Sequence, residues 1–464
     1  MTRTTIFTIV ALLFAIGCND GKNTNPDIDE LVADDMVTDS DSTGSDMTAE
    51  ADITDTMPDT PTDEDLATDQ VITDELLSDD DQIVSDEQPD ENDTLVTDTD
   101  TAEPLDLDND PGTTLPSGDI GIGIYFSAHV DGSNYGDIYR LKMSDLTIEN
   151  ITNTADKFEY CPALPADASF LLYSSADYSD THLGSIWKAN LNGQGTISGQ
   201  PAILIARELK EYDVYGDGSV MQQYTVGRWN PAVSEDGSRI VFTGTYETGE
   251  TDIDGYLTFD IELFTADAAG ENITAFLPTG DGNPMYMKPL AAEFVHGTNR
   301  IMASFLGFGP EEISSEIFFE NEDGLDMTAY TFYGAWTDGN VAQRGLAAAT
   351  HADEMLFYRF VPDFSVQNGI SIMGNIMNAP WNETYTGYRQ PDETFVAYIT
   401  TEQFASHYRP FAFSPDGQLI AVTIYTGSGS DRESRLAIIG RDGTVYRVFN
   451  LDNTLWDIDG LIWR

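Results

Sequence analysis

Apolar and polar residues alternate in short runs over the last three quarters of the chain, and one such pattern recurs. Residues 409–425 read as an apolar strand, a Ser-Pro-Asp-Gly turn and a second apolar strand. Residues 230–246 repeat the pattern with Ser-Glu-Asp-Gly at the turn, and weaker copies begin at Cys161, Lys288 and Arg344. Because Asp-Gly accommodates the positive φ values of tight hairpin turns, each copy predicts a β-hairpin.

Two further strand-like runs follow each copy, so that four short strands recur every 56 to 69 residues. Repeats of this length and content are typical of propeller blades. Residues 120–152 supply three more strands, and residues 460–463 supply a strand that would complete that unit. The sequence therefore predicts an all-β, six-bladed β-propeller over residues 119–464, closed by the C-terminal strand. A pair of β-sandwiches is the alternative.

The N-terminal segment, residues 1–17, has Arg3 near its start and a mostly apolar run over residues 6–16. This run is too short to span a bilayer as a helix but has the length of a signal-peptide core. Its Ala-Ile-Gly-Cys ending resembles the lipobox of bacterial lipoproteins, which implies export and lipidation of Cys18. Asn19 favours sorting to the outer membrane, facing the periplasm or the surface. The alternatives are an ordinary cleaved signal or a buried helix.

Residues 18–118 have the composition of a disordered acidic linker. From residue 19 to 118 there are 33 Asp and Glu, one Lys and no aromatic residue. Such a segment cannot bury enough apolar surface to fold, which predicts a tether. The spacing of Asp106, Asp108 and Asp110 also suggests a calcium loop, but Pro111 and Ser117 stand where an EF-hand needs Gly and Glu. A spacer is the preferred reading, and whether it binds cations is left open.

The formal charge of −60 limits the partners, and about −29 of it belongs to residues 119–464. This charge argues against nucleic acid, whose binding needs Lys and Arg. Cys161 is the only cysteine besides Cys18, and it reads as a small buried residue. No metal site and no cofactor are predicted, and a monomer is expected.

The repeated hairpin, followed by an aromatic-containing third strand and an Ile-Thr or Met-Thr fourth strand, resembles the TolB-type six-bladed β-propeller repeat. The resemblance covers about three quarters of the chain. It implies protein binding in the periplasm or at the cell surface. The expected function is thus a lipid-anchored envelope protein that binds another envelope protein or a polysaccharide.

Catalytic motifs are not found. There is no Gly-x-Ser-x-Gly elbow, and no two histidines have metal-ligand spacing. His296 and His351 fall at hairpin turns, where solvent-exposed residues are expected. The sequence therefore predicts a protein that is not an enzyme. The alternative is a propeller enzyme, a lyase or hydrolase acting on an extracellular polymer at the central channel.

Long connections between second and third strands, and the link over residues 208–228, are expected on one face of the propeller. Loops on a rigid scaffold commonly carry binding residues. Tyrosines and carboxylates on these loops suit a basic or amphipathic partner. The alternative is that they are only solvated loops of an acidic protein. The candidate binding face comprises Asp177, Tyr178, Tyr212, Tyr215, Tyr246, Asp252, Asp254 and Tyr256.

Overall fold

The computed structural model of the protein describes residues 105–107, 110–130, 135–177, 184–213, 221–251, 257–276, 286–308, 313–320, 327–329, 342–360, 368–374, 393–399, 403–405, 409–426, 433–451 and 455–464. These residues contain 27 β-strands, all pairings are antiparallel, and no helix occurs among them. The predicted signal peptide, Cys18 and most of the predicted linker lie outside the described residues.

The first half of the domain contains three four-stranded sheets and one separate hairpin. Sheet 1 has the order β27-β1-β2-β3 and contains β1 (Gly123–Val130), β2 (Gly136–Lys142), β3 (Ile148–Asn150) and β27 (Leu455–Trp463). Sheet 2 contains β4 (Phe158–Ala163), β5 (Phe170–Ala176), β6 (Ser185–Asn190) and β7 (Ala202–Ile205). The hairpin pairs β8 (Glu208–Asp213) with β9 (Met221–Val226). Sheet 3 contains β10 (Arg228–Val233), β11 (Arg239–Thr251), β12 (Leu257–Asp267) and β13 (Thr274–Phe276).

Three more sheets follow in chain order. Sheet 4 contains β14 (Tyr286–Phe294), β15 (Ile301–Phe308), β16 (Ile313–Glu320) and β17 (Met327–Ala329). Sheet 5 contains β18 (Ala342–Ala348), β19 (Glu354–Phe360), β20 (Asn368–Gly374) and β21 (Glu393–Ile399). Sheet 6 contains β22 (Gln403–Ala405), β23 (Phe411–Phe413), β24 (Leu419–Thr426), β25 (Glu433–Gly440) and β26 (Val445–Asn450), with β22 and β23 both pairing to β24.

Local side-chain chemistry explains the repeated turn between the first two strands of a sheet. In sheet 3 the Ser234 carbonyl accepts the Gly237 amide at 2.9 Å, and the Ser234 hydroxyl lies 2.7 Å from Oδ1 of Asp236. Gly237 has φ +70°, which a side chain would disfavour. Sheet 6 repeats the arrangement, with Gly417 at φ +69°. The turn is therefore a Ser-to-Gly reverse turn with a left-handed glycine, longer than a two-residue hairpin loop.

The hydrophobic core lies between the sheets and is divided into six clusters. Each cluster joins two sheets that are neighbours along the chain, except one that joins sheet 6 to sheet 1. In that cluster Trp463 of β27 and Phe126 of β1 are fully buried with Leu436 of β25. The last strand pairs directly with the first, with Trp463 opposite Ile124 and Ile462 opposite Tyr125. Consecutive four-stranded antiparallel sheets packed face to face define the architecture of a β-propeller.

Residues 105–107 and 110–120, here called the strap, pack on the domain before its first strand. Leu105 and Leu107 are 5% and 2% exposed and belong to the cluster between sheets 5 and 6. Arg435 donates to the Leu107 carbonyl at 2.8 Å, and the Val448 amide donates to Asp110 at 3.0 Å. Among the described residues, packing thus includes Leu105 and Leu107, which belong to the predicted linker. The reason is that isolated leucines can be buried by partners far away in the sequence.

Candidate functional site

Two hairpins project from the side of sheet 3 opposite its Ser234–Gly237 turn. Strand β11 makes its last pair with β10 at Gly244 and continues through residues 245–251. At about 3.3 Å per residue this extension is roughly 23 Å long. It pairs with β12 as far as Thr251 opposite Leu257. The hairpin β8–β9 lies beside this extension, and we call the two together the paired hairpins.

Polar contacts join the paired hairpins. The hydroxyl of Tyr224 on β9 donates to Oε2 of Glu247 on β11 at 3.0 Å. Burial, and then the Glu247 carboxylate, raise the pKa of Tyr224 to about 12, so the hydroxyl keeps its proton at neutral pH. Lys210 on β8 lies 3.9 Å from the same carboxylate, a distance at which an exposed ion pair adds little. The Tyr224–Glu247 bond therefore fixes the relative position of the two hairpins.

The outer face of β8–β9 exposes apolar side chains. Leu209 and Met221 are 68% and 50% exposed. Alternation along the paired strands puts them on the face opposite Lys210 and Tyr224. Glu211 lies on the same face and accepts a hydrogen bond from Gln223 at 2.7 Å. This face is amphipathic, with two apolar side chains and a carboxylate open to solvent.

Six of the eight predicted binding residues belong to the paired hairpins and the loops at their tips. Tyr212 lies on β8 and is half-buried, and Tyr246 lies on β11 opposite Asp260. The other four fall between the strands of these hairpins, within residues 214–220 and 252–256, which lie outside the described residues: Tyr215, Asp252, Asp254 and Tyr256. Tyr178 also lies outside the described residues.

Asp177, the eighth predicted binding residue, is already paired within the domain. Its carboxylate bonds Lys157, and Nη2 of Arg207 lies 2.8 Å from its second oxygen. These two cations lower the pKa of Asp177 and neutralise its charge. Asp177, which follows β5, therefore links the residue before β4 to the segment that follows β7.

One arginine fills the centre of the domain. Arg409, 2% exposed, precedes β23 of sheet 6. Its guanidinium donates to the carbonyls of Pro162 in sheet 2, Pro231 in sheet 3 and Ala292 in sheet 4. Its Nε lies 2.6 Å from Oε1 of Glu293. The first strands of sheets 2, 3, 4 and 6 therefore meet around one guanidinium, at what would be the central channel of a propeller.

Bulges in β4 and β10 free the Pro162 and Pro231 carbonyls that Arg409 uses. Cys161, Asn230 and Arg409 all have positive φ, at 52°, 54° and 44°, and each directly precedes a proline. The pairing register shifts at the first two of these positions. A proline has no amide hydrogen for the ladder, and a bulge leaves its carbonyl unpaired as well. Repeated X-Pro pairs thus supply acceptors to the channel.

Charged turn residues surround one end of the channel, which we call the channel mouth. Nδ1 of His296 in sheet 4 lies 2.6 Å from Oε1 of Glu235 in sheet 3, and the Gly297 amide donates to the other carboxylate oxygen at 3.1 Å. Arg464, after β27, donates to the Leu164 carbonyl at 3.0 Å. Burial lowers the pKa of Arg464 to about 10, although the carboxylates of Glu293 and Glu235 oppose this effect.

His351 of sheet 5 completes the channel mouth. Its Nε2 lies 3.3 Å from Oε2 of Glu354, whose carboxylate also forms a two-point ion pair with Arg441 at 2.7 and 2.8 Å. Burial lowers the pKa of His351. A side chain at Gly417 would place its first carbon 2.0 Å from Nε2, so only glycine leaves room for the ring.

The two turn histidines are therefore not the exposed residues that the sequence predicted. Their side chains are 33% and 19% exposed, and each has a carboxylate partner. The partner of His296 lies 61 residues away, so no local pattern marks the pair. Glu235 thus holds the Nδ1 side of the His296 ring, an orienting contact of the kind that positioned histidines make.

Other predictions concern cysteine, metals and membranes. Cys161 is buried with a raised thiol pKa, which confirms it as a small core residue. Within the described ranges, no group of three or more His, Cys, Asp or Glu side chains is placed to hold a metal ion. The described part of the chain also has no helix long and apolar enough to cross a membrane.

No protein-family model and no curated protein matches the chain. Several solved structures resemble it. An oligogalacturonate lyase from Vibrio parahaemolyticus is 11% identical, covers 71% of this chain and 74% of its own, and has a TM-score of 0.40. A chain of a nidogen/laminin complex is 12% identical, with 74% and 98% covered and a TM-score of 0.41. An α-L-arabinofuranosidase from Lactobacillus brevis is 14% identical, with 61% and 92% covered and a TM-score of 0.35. At these values the similarities decide neither blade number nor activity.

The prediction that the chain is not an enzyme is wrong, because it was deduced only from the absence of contiguous catalytic motifs. Two of the similar proteins carry enzyme names, a lyase and an arabinofuranosidase. The physical reason is that this architecture can assemble a site from single residues on several sheets, as it assembles the channel mouth. A site of that kind leaves no contiguous motif. Enzymatic activity of this chain is not thereby established.

Proposed function

We propose that the six sheets are the blades of one six-bladed β-propeller, closed by β27. Three observations support this proposal. Hydrophobic clusters follow the sheets in order and include one between sheets 6 and 1. Strand β27 pairs with β1. Arg409 bonds three other sheets at once and accepts the Leu461 amide of β27 at 2.9 Å.

This propeller is a binding module that recognises a partner through the paired hairpins. The observation that carries the proposal is the Tyr224–Glu247 bond, which joins the two hairpins to which six of eight predicted binding residues belong. The partner is a basic, amphipathic surface of an envelope protein. It would cover Leu209 and Met221 and would be attracted by the formal charge of about −29 on residues 119–464.

Binding is tested by cross-linking capture from an envelope extract with the full chain and two variants, followed by affinity measurement on the captured partner. Leu209→Ser and Met221→Ser remove exposed apolar area and should each weaken binding at least about fivefold, the effect of losing an interface anchor worth about 1 kcal/mol. The matched control is Ile273→Ser, which is 43% exposed at the opposite end of sheet 3.

Equal loss in the control, or unchanged affinity in both hairpin variants, contradicts the proposed surface. Capture of a polysaccharide instead of a basic protein contradicts the proposed partner but keeps the surface. Melting temperatures of all three variants should equal that of the wild type, because the substituted side chains are exposed.

We further propose that the domain is exported and held at a bacterial membrane, most simply the outer membrane, by lipid on Cys18. The support is the short apolar segment ending in Ala-Ile-Gly-Cys and the acidic linker that follows. Cys18→Ser should leave an unprocessed precursor and no protein in the detergent phase on phase partitioning. Normal processing and detergent partitioning of the variant would refute the anchor.

A second candidate function is catalysis at the channel mouth, favoured by the Glu235–His296 contact of 2.6 Å beside the Arg464 guanidinium. His296 would act as general base or acid, and Arg464 would hold an anionic group of an extracellular polymer. A screen for product release from acidic polysaccharides tests this candidate. His296→Asn should abolish turnover and leave hairpin-dependent capture unchanged. Turnover unaffected by that change would exclude the channel mouth as the active site.

A further inference from the structure

Two carboxylates meet between sheets 1 and 2, apart from both sites described above. Asp137 lies on β2 and Glu159 lies on β4. The connection from β3 to β4 adds the hydroxyl groups of Thr152 and Thr154, each 3.3 Å from Oδ1 of Asp137. All these groups offer oxygen, and none of them offers nitrogen or sulfur as a ligand. Oxygen ligands of this kind select hard cations.

Asp137 is an organised carboxylate and not a freely rotating one. Its Oδ1 accepts the Thr154 amide at 2.9 Å, and its Oδ2 accepts the side-chain amide of Asn150 at 2.8 Å. The residue therefore holds the β3–β4 connection against β2. Oδ1 is occupied by the Thr154 amide and by the two hydroxyls, whereas Oδ2 retains a further lone-pair direction, because a carboxylate oxygen can accept about two hydrogen bonds or metal contacts.

Glu159 has a buried oxygen that no described residue bonds. The residue is 3% exposed, and its Oε2 has no hydrogen-bond partner within the described ranges. The hydroxyls of Thr152 and Thr154 bond the Glu159 carboxylate, and the negative charge of Asp137 lies close enough to repel it. Lys157 also attracts this carboxylate, but its ammonium group is bound to Asp177. An unsatisfied buried carboxylate next to another carboxylate is costly unless a positive charge joins them.

Glu262 on β12 shows what the second carboxylate adds. Its Oε2 is also buried without a partner, and burial raises its pKa to about 7. No neighbouring charged group contributes to that change. Glu262 thus has an unpartnered oxygen like that of Glu159, but among the described residues it lacks the second carboxylate and the two hydroxyls that could complete a set of ligands.

We propose that Asp137 and Glu159, with the hydroxyl oxygens of Thr152 and Thr154, bind a calcium ion between sheets 1 and 2. Calcium fits better than magnesium because the ligands come from two sheets and a connection, and Ca²⁺ tolerates irregular oxygen geometry. The ion would complete the coordination of the free Glu159 oxygen. It would also link the two sheets, so its binding should stabilise the fold.

The test is thermal unfolding of the full chain in detergent, first with chelator and then with rising CaCl2 at pH 7.5 and constant ionic strength. Wild type should show a saturating rise in melting temperature, on the order of 5 °C when Ca²⁺ is about 100-fold above its dissociation constant. Glu159→Gln should abolish the rise. Glu262→Gln is the matched control and should keep it.

Terbium luminescence gives a second readout that needs no variant. Tb³⁺ replaces Ca²⁺ and emits when a nearby tyrosine absorbs light, and Tyr139 lies 3.3 Å from the Asn150 amide that bonds Asp137. Residues 19–101 contain no Phe, Tyr or Trp and so supply no sensitiser of their own, and Asp110→Asn controls for emission from the strap, which lies beside Tyr446. Tyrosine-sensitised emission that Ca²⁺ competes away supports the site.

Three results would overturn the proposal. One is a wild-type melting temperature insensitive to Ca²⁺ at pH 7.5. Another is a Ca²⁺-dependent rise that persists in Glu159→Gln. The third is the lack of sensitised emission, which decides the matter even if Glu159→Gln fails to fold.

Discussion

Replacing Arg409 with methionine should destabilise the whole domain, because the guanidinium holds several sheets at once. The change removes the donors to the carbonyls of Pro162, Pro231 and Ala292, and it leaves Glu293 without the Nε contact at 2.6 Å. Breaking one partner of a buried ion pair typically costs about 3–5 kcal/mol. That cost is a large part of the roughly 5–15 kcal/mol that keeps a domain folded.

The expected fall in melting temperature is on the order of 10 °C, at about 2–4 °C for each kcal/mol in a domain of this size. A double-mutant cycle with Glu293→Gln separates the ion pair from the carbonyl contacts. If the pair is the main term, the double variant should be less destabilised than the sum of the two single variants, by about 2 kcal/mol or more. Thermal and urea unfolding measure both quantities.

The loss of stability caused by Arg409→Met should depend on pH. Burial already raises the pKa of Glu293 in the wild type, with Arg409 opposing it. Without Arg409 the folded-state pKa should rise further, and a raised carboxyl pKa costs stability as pH increases through that value. Arg409→Met should therefore lose more stability at pH 8 than at pH 5. A loss below about 1 kcal/mol, or additive single effects, would refute the central role of Arg409.

Three further predictions follow from the packing. Leu107→Ala should lower the free energy of unfolding by about 2–4 kcal/mol, because the side chain is 2% exposed between sheets 5 and 6. Deletion of residues 19–101 should leave the melting temperature unchanged. Removal of residues 460–464 should abolish cooperative unfolding, since β1 then loses its partner, and a cooperative melt of the truncated chain would contradict closure. Glu262→Gln should stabilise the protein at pH 8 by about 3 kcal/mol and not at pH 4, because a folded-state pKa of about 7 makes ionisation of Glu262 costly as pH rises. A stability difference that does not change with pH would show that ionisation of Glu262 is not its cause.

The hairpin repeat was visible in the sequence because its determinants are local. Ser234, Asp236 and Gly237 form their turn with one another, and alternating apolar residues define the strands on both sides. The repeat length then predicted successive four-stranded sheets. The pairing of β27 with β1 also agrees with the sequence, since residues 460–463 resemble the first strand of the other units.

The sequence does not predict the hairpin β8–β9, because residues 208–228 are interpreted as one long link. Polar residues occupy most positions on both faces of its strands, so no alternation of apolar and polar residues predicts them. The only local sign is the Gly-Asp-Gly at residues 216–218 between the two strands. Strands held mainly by a neighbouring hairpin, here through Tyr224 and Glu247, have little signature of their own.

The contacts of Arg409 and of the channel mouth could not be predicted either, and the reason is different. The contacts of Arg409 reach back 117 to 247 residues, and those of Glu235 and His296 join separate sheets. Sequence patterns identify which residues lie at turns and bulges, but which turn faces which depends on the order of the sheets around the channel.

The position of the strap has a mechanical consequence. A pull on the chain ahead of Leu105 enters the domain between sheets 5 and 6, where two buried leucines and the contacts of Arg435 and Val448 with the strap resist it. The strap must peel away before the load reaches β1, because the Ile120 carbonyl is still held by the Trp463 indole at 2.7 Å. The strap thus protects the β1–β27 pairing, which carries force only after the strap has been released.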